Sequence, residues 1–525
     1  MKEFCIVIPA IKKNGVIPDQ LIKKLNGVTL IQRAIDTARK VGKDIFIVTD
    51  SQEISLISER NGVEYIYNAN YKISPDNLFD NFRDFLKEIE KKYLNIIIYR
   101  ANTPLVNSEI IFSAYQQFLK DSEKTLVSVK EEEQFSYENK NGQYFRKREL
   151  SLSEINSFII ISSKNLFNRK EDFDPYIISS EKAIEIESFQ DWWIAEKLLQ
   201  RKKIVIHVFG SVNLGMGHIY RSLALAHEIT THQVIFVCDE KYKLAVNKIA
   251  SMDYRVISTK DVEQTILEEN PDLIINDVLN TDKNFIQNLK KISKVVNFED
   301  LGTGSSFTDI TINELYEHPV KEGDNYLWGS DYYFLRDEFD NAKPHQFLDK
   351  VNSLLISFGG TDRNNLTMKT LISILPLAEK MSIYINIVCG GGYLFREDLE
   401  KYIDSLEYKN IHLTFESGTI SKIMESSQIA ISSNGRTVYE LADMNIPTIV
   451  ISQHEREVTH SFSTLERGFL NLGVVRDGIE KEIKISFEKL ILDSSYRELL
   501  FLNIQNYGFR KNKKKVVNLI LELLE

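Results

Sequence analysis

The sequence predicts an α/β protein built from parallel sheets with helices on both faces. Its N-terminal region is followed by a larger region in two halves. Three observations carry this. Short apolar runs alternate with longer helical patterns from end to end, as strand–helix–strand units require. Several of those runs lead into loops rich in glycine and hydroxyl groups, and these loops open helices. Hydrophobic residues make up 43% and charged residues 27% of the 525 residues, the balance of an ordinary globular chain with two to four cores.

In chain order, Phe4–Ile8, Asp44–Val48, Asn95–Tyr99 and Thr125–Val129 read as strands. Leu30–Lys40, Ser51–Arg60, Asn77–Lys92 and Ser108–Lys120 carry helical spacing between them. The helical pattern Asp191–Leu199 runs out in Gln200-Arg201-Lys202-Lys203, and a fresh strand starts at once, so the first domain spans 1–200. A second series follows: Ile204–Phe209, Gln233–Cys238, Asp272–Asn276 and Lys294–Phe298. After the polar stretch Asp337–Lys350 comes a third: Ser353–Phe358, Ile383–Cys389, Ile411–Phe415, Gln428–Ser432 and Pro447–Ile451. Residues 204–336 and 351–525 are then two α/β lobes facing a cleft, the second ending in a C-terminal helix.

Composition excludes several function classes. The net charge of −10 gives a nucleic-acid partner no general support. The basic run Arg510, Lys511, Lys513, Lys514 and Lys515 reads as the solvated face of a last helix. Cys5, Cys238 and Cys389 lie far apart in apolar runs, which argues against disulfides or structural zinc and for a reducing cytoplasm. No apolar stretch approaches the roughly 20 residues of a spanning helix.

The chemistry is concentrated at strand ends. Phe209-Gly210-Ser211-Val212-Asn213-Leu214-Gly215-Met216-Gly217-His218 leads from a strand into the helical pattern Ile219–Ile229. Glycines let the backbone approach a ligand, and a helix start presents N–H groups and a positive dipole end to an anion. The loop is neither a Walker A loop nor a dinucleotide fingerprint. His218, at a helix start on a cleft, has the chemistry of a general base, with capping or packing as the plainer alternative. Two further loops match: Phe358-Gly359-Gly360-Thr361-Asp362 before Leu366–Leu375, and Asn434-Gly435-Arg436-Thr437 before Val438–Met444. Together they would hold a diphosphate. Glu440, one turn into the last helix, would accept hydrogen bonds from ribose hydroxyls.

These residues carry a resemblance. Gly215-Met216-Gly217-His218-Ile219-Tyr220-Arg221-Ser222, Leu335-Arg336-Asp337-Glu338-Phe339 and Asn434-Gly435-Arg436-Thr437-Val438-Tyr439-Glu440 resemble the UDP-sugar hydrolase of the pseudaminic acid pathway. They are similar also to its spore-coat polysaccharide relatives and, more distantly, to MurG-type glycosyltransferases of the GT-B fold. The resemblance implies a two-lobed GT-B region in which His218 activates the water that displaces UDP. Gly215, Gly217, Arg221, Gly359, Gly360, Thr361, Asn434, Gly435, Arg436, Thr437 and Glu440 would hold the nucleotide, with no cofactor needed. One departure is Asp277-Val278-Leu279, where the hydrolases carry an aromatic residue; it leaves hydrolysis and transfer both open.

Residues 1–200 resemble the CMP-sialic acid synthetase type of cytidylyltransferase, a Rossmann-like, GT-A-like nucleotidyltransferase fold. The resemblance rests on Ile8-Pro9-Ala10, Val48-Thr49-Asp50, Ala101-Asn102-Thr103-Pro104-Leu105 and Glu185-Ile186-Glu187-Ser188-Phe189-Gln190-Asp191. It implies CTP and a nonulosonic acid as substrates, with Mg²⁺ on Glu185, Glu187 and Asp191. The phosphate loop departs from the family: Ile11-Lys12-Lys13-Asn14-Gly15 has no arginine, and Lys12 and Lys13 are left to supply charge. The whole reads as a fused cytoplasmic enzyme of nucleotide-sugar processing for nonulosonic acids. Two alternatives stay open. One is a surface-polysaccharide GT-B glycosyltransferase with an inactive N-terminal module; the other is a nucleotide-sugar-binding protein without turnover.

Overall fold

The computed structural model describes residues 1–12, 17–71, 82–167, 172–210, 216–415 and 418–525, with the backbone alone at Gln134 and Glu149. The chain divides into two compact units, Met1–Arg201 and Lys202–Glu525. No helix among the described residues is long and apolar enough to cross a membrane.

The first unit holds a seven-stranded sheet and a small hairpin. Its strands are β1 (Lys2–Ala10), the hairpin pair β2 (Lys24–Leu25) and β3 (Val28–Thr29), β4 (Ile45–Thr49), β5 (Glu64–Tyr67), β6 (Tyr93–Tyr99), β7 (Thr125–Lys140), β8 (Gln143–Ser162) and β9 (Phe173–Ile177). The sheet order is β5-β4-β1-β6-β8-β7-β9. β1 pairs in parallel with β4 and β6, so the strand order reverses beside it, and the crevice past the ends of β1 and β6 is the ligand position for such a sheet. Ile6, Ile8, Ile47 and Ile97 are fully buried under helix Leu30–Val41, which presents Leu30, Ile31, Ala34, Ile35 and Ala38. The run Thr125–Val129 continues as a strand to Lys140 and returns along β8, so that residues 130–140 pair only with 143–153. The alternation of apolar and charged residues there is a ribbon's two faces, which the short apolar run did not reveal.

The second unit contains two parallel sheets. The first comprises β10 (Lys203–Val208), β11 (Gln233–Asp239), β12 (Val256–Thr259), β13 (Leu273–Asp277), β14 (Lys294–Phe298), β15 (Ile310–Asn313) and β16 (Tyr326–Trp328), in the order β12-β11-β10-β13-β14-β15-β16. The second comprises β17 (Ser353–Ser357), β18 (Tyr384–Cys389), β19 (Ile411–Phe415), β20 (Ile429–Ser433), β21 (Thr448–Ser452) and β22 (Phe469–Val474), in the order β19-β18-β17-β20-β21-β22. The order reverses between β10 and β13 in one and between β17 and β20 in the other. All three glycine loops leave strands at these two crevices.

Two details differ from the sequence reading. Helix Asn512–Leu521 belongs to the core of the first lobe, where Val516, Val517 and Ile520 pack with Ile204, Ile206 and Leu223. Its basic approach is not simply a solvated face. Lys513 is buried against Asp337, with Asp340 at 3.6 Å and Glu228 at 3.7 Å, and Arg510 Nε donates to Asp443 at 2.8 Å. The three cysteines are free and buried, as apolar packing predicts.

Candidate functional site

A cavity of about 950 Å³ opens between the two lobes of the second unit. Its walls include Gly217, His218, Gly359, Gly360, Thr361, Gly435, Arg436, Thr437 and Glu440. Three loops distant in sequence therefore meet in one space. Gly215 lies outside the described residues.

His218 stands in the first turn of helix Gly217–Glu228, which no side chain caps. Its Nδ1 lies 2.5 Å from Oδ1 of Asp277, the last residue of β13. A carboxylate only accepts, so Nδ1 carries the ring proton and Nε2 keeps its lone pair. The ring leans on Phe209, centroids 4.7 Å apart. Asp277 is fully buried and also accepts from Arg221 Nε at 2.8 Å and Ser222 Oγ at 3.1 Å. Burial alone would raise its pKa, but the Arg221 guanidinium, with the hydrogen bonds from Arg221 and His218, outweighs burial and holds the carboxyl well below the usual range. The imidazole is thus oriented by a permanent anion, the arrangement of a general base.

Arg221 serves this network rather than the cavity. Its fully buried guanidinium also binds Glu299 (3.1 Å) and Glu314, and stacks 5.1 Å from the Phe298 ring centroid. Glu314 in turn accepts from Arg436, and the Glu299 carbonyl accepts from Arg456 Nη2 at 3.1 Å. Three cations and three anions balance there, and Arg436 and Arg456 bring the second lobe into it. Removing one member of such a set leaves an uncompensated buried charge.

The loop Gly359–Thr361 is held through its carbonyls: Gly390 N donates to Gly359 O (3.2 Å) and Gly392 N to Gly360 O (3.0 Å). No described acceptor takes the N–H groups of residues 359–361. Gly359 sits at φ 76°, where a side chain is strained, and a Cβ on Gly390 would come within 2.5 Å of the Gly360 backbone. Asp362 caps the following helix, accepting from Leu366 N and Thr367 N at 2.8 Å each. The helix start is thus already occupied, and an anion would meet the loop amides instead.

Asn434 lies behind its loop. It accepts from Ser463 Oγ (2.7 Å), and its Nδ2 donates to Glu457 O (2.7 Å) and His460 O (3.0 Å), which fixes the segment after β21. Glu440 accepts from Arg336 Nε at 2.9 Å, so a ribose would meet a carboxylate already paired with a cation. Arg336, Glu299, Arg456, Glu457 and His460 line the cavity and were missed as site residues. Four of the five follow strand ends β14 and β21, the position that marks a site in a parallel sheet.

In the first unit the expected residues pair mostly with other residues. Lys12 Nζ lies 3.2 Å from Asp19 and 3.1 Å from Glu53. Lys13 lies outside the described residues. Glu185 pairs with Arg100 Nη1 and accepts from Asn102 Nδ2, both at 3.1 Å. Asp191 closes a capping box with Ser188, and its Oδ2 also accepts from Glu187 N. Glu187 is exposed. No group of three or more His, Cys, Asp or Glu among the described residues is placed to hold a metal ion.

Residues 6–204 match the model of the family described as Cytidylyltransferase. The chain is 30% identical over 280 residues to the uncharacterized protein MJ1062 of Methanocaldococcus jannaschii, covering 48% of this chain and 56% of that protein. It is 24% identical over 283 residues to the spore coat polysaccharide biosynthesis protein SpsG of Bacillus subtilis, covering 50% of this chain and 82% of SpsG. It is 25% identical over 232 residues to a Helicobacter pylori protein named pseudaminic acid cytidylyltransferase and UDP-2,4-diacetamido-2,4,6-trideoxy-beta-L-altropyranose hydrolase, covering 41% of this chain and 40% of that one. The chain thus spans about half the length of MJ1062.

Proposed function

We propose that the second unit binds a UDP-sugar in the cavity and breaks its anomeric C–O bond, within nucleotide-sugar processing for nonulosonic acids or a related surface polysaccharide. The observation that carries this is the buried Asp277–His218 pair on the wall of a cavity that three glycine loops also line. His218 Nε2 takes a proton from the attacking water, oxygen joins the anomeric carbon, and UDP leaves with the bonding pair. The amides at Gly359–Thr361, the uncapped start of helix Thr437–Asp443 and Arg436 meet the diphosphate. Glu440 and Arg336 meet the ribose. No cofactor is required for this step.

For the first unit we propose a cytidylyltransferase domain acting on CTP and a nonulosonic acid, with its charges differently arranged at the phosphates. The family match over 6–204 supports the domain.

Incubating the chain with a panel of UDP-sugars and following UDP tests the main reading. Release without any acceptor supports hydrolysis. Release only with a second sugar or lipid identifies a transferase, and no release or binding rejects the assignment. Pyrophosphate release from CTP with nonulosonic acids, with and without Mg²⁺, tests the first unit.

A further inference from the structure

His460 and Glu299 line the same cavity as His218, and the base mechanism uses neither. His460 is 7% exposed, and its Nδ1 lies 2.8 Å from the carbonyl oxygen of Asn434. A carbonyl has no proton to give, so the ring proton sits on Nδ1 and Nε2 is an acceptor. That Nε2 is buried and has no hydrogen-bond partner among the described residues. Across from it, 4.0 Å away, is Oε1 of Glu299. The other oxygen of Glu299 is bound to Arg221, but among the described residues the nearest donor to Oε1 is Arg456 Nη2 at 3.9 Å, beyond hydrogen-bond reach. Burial works to raise the Glu299 pKa, and nearby positive charge, that of Arg221 and Arg456 included, outweighs it, so the carboxylate is ionised. Burial also keeps the His460 imidazole neutral by lowering its pKa. Two acceptors therefore face each other at a spacing that one donor group can bridge. The Glu299 backbone is held at φ 55°, a left-handed conformation that non-glycine residues keep chiefly where the surroundings enforce it.

We propose that Glu299 Oε1 and His460 Nε2 form a paired acceptor for a hydrogen-bond donor on the sugar moiety, a hydroxyl or an amide N–H, and so select the sugar rather than the nucleotide. This rests on the reading of the cavity as a UDP-sugar site. A buried acceptor left unpaired disfavours an analogue that lacks the donor, which makes such pairs strong discriminators.

Calorimetry on the full chain with UDP and with a panel of UDP-hexoses and UDP-N-acetylhexosamines tests the pair. At least one sugar nucleotide should bind the unchanged protein more tightly than UDP. His460→Phe should remove roughly tenfold of that preference while UDP affinity stays within a few-fold, which also reports a folded site. His460→Gln, whose amide oxygen still accepts, should keep more of the preference than His460→Phe. Loss confined to N-acetylhexosamines assigns an amide donor, and loss across the panel assigns a hydroxyl. An unchanged ratio of UDP-sugar to UDP affinity in His460→Phe overturns the proposal. So does a fall in turnover at unchanged sugar affinity, which would make the pair a holder of water. If the unchanged protein binds no UDP, the cavity reading itself fails.

Discussion

Both units hold sheets whose strand order reverses beside a central strand paired in parallel with both neighbours, yet their crevices are furnished differently. Past β1 and β6, among the described residues, Lys12 is matched by Asp19 and Glu53 and Arg100 by Glu185. Past β17 the loop Gly359–Thr361 leaves its backbone amides without an acceptor among the described residues. Two cavity histidines are each held by Nδ1, with no hydrogen bond to Nε2 among the described residues. His218 is anchored by Asp277 and His460 by the Asn434 carbonyl. A shared topology fixes where a ligand would lie, and the pairing of charges around that place decides whether the fold is ready to act.

The largest effect that tests this contrast is expected at His218. His218→Ala should reduce UDP release roughly 10²–10⁴-fold with UDP affinity within a few-fold, measured by single-turnover assay and calorimetry. Normal turnover would make His218 a packing residue. Arg221→Met should follow, because Asp277, Glu299 and Glu314 would lose their buried cation. Breaking such a pair costs about 3–5 kcal/mol, read as a lower denaturant midpoint for the second unit.

Glu440→Ala removes one charged acceptor and should weaken UDP by roughly 10- to 150-fold, for about 1.5–3 kcal/mol. Equal affinity would place the ribose elsewhere. Glu457 gives a smaller, pH-dependent signature. Burial raises its carboxyl from 4.5 to about 7, more than Gln453 N and the Asn434 contact lower it. Between those values the folded chain keeps a proton that the unfolded chain has released, so stability is full below 4.5 and falls as pH rises through 7. The change is on the order of 1–3 kcal/mol, and Glu457→Gln should flatten it in denaturation series across that window. The smallest effect belongs to the first unit. Glu53→Ala relieves Lys12 of one partner and should strengthen CTP binding a few-fold, as expected for exposed pairs. Weaker binding would mean that the pair, not the free cation, serves the nucleotide.

Much of this was legible in the sequence because strands in parallel sheets are nearly continuous apolar runs. Lys294–Phe298 and Ile411–Phe415 are strands to the residue. The loop glycines and His218 were legible because glycine before a helix start has few uses. Asp277, Arg221 and Glu299 were harder to assign because their roles depend on which strands are neighbours: Val208 pairs with Asp277 across β10 and β13. Of the acidic stretch Glu185–Asp191, placed by the family resemblance, Asp191 also forms the capping box of its helix with Ser188, which its spacing alone could not separate from a metal role. Likewise Lys513 sits in a run that reads as solvated, and only the return of the last helix to the first lobe buries it.

The central claim is that water attacks the sugar carbon rather than phosphorus. Running the reaction of a turned-over UDP-sugar in ¹⁸O-labelled water and weighing the released UDP tests it. UDP without label is expected, because the C–O bond breaks and the bridging oxygen leaves on the diphosphate. UDP carrying one labelled oxygen would place the attack on phosphorus and contradict the role assigned to His218.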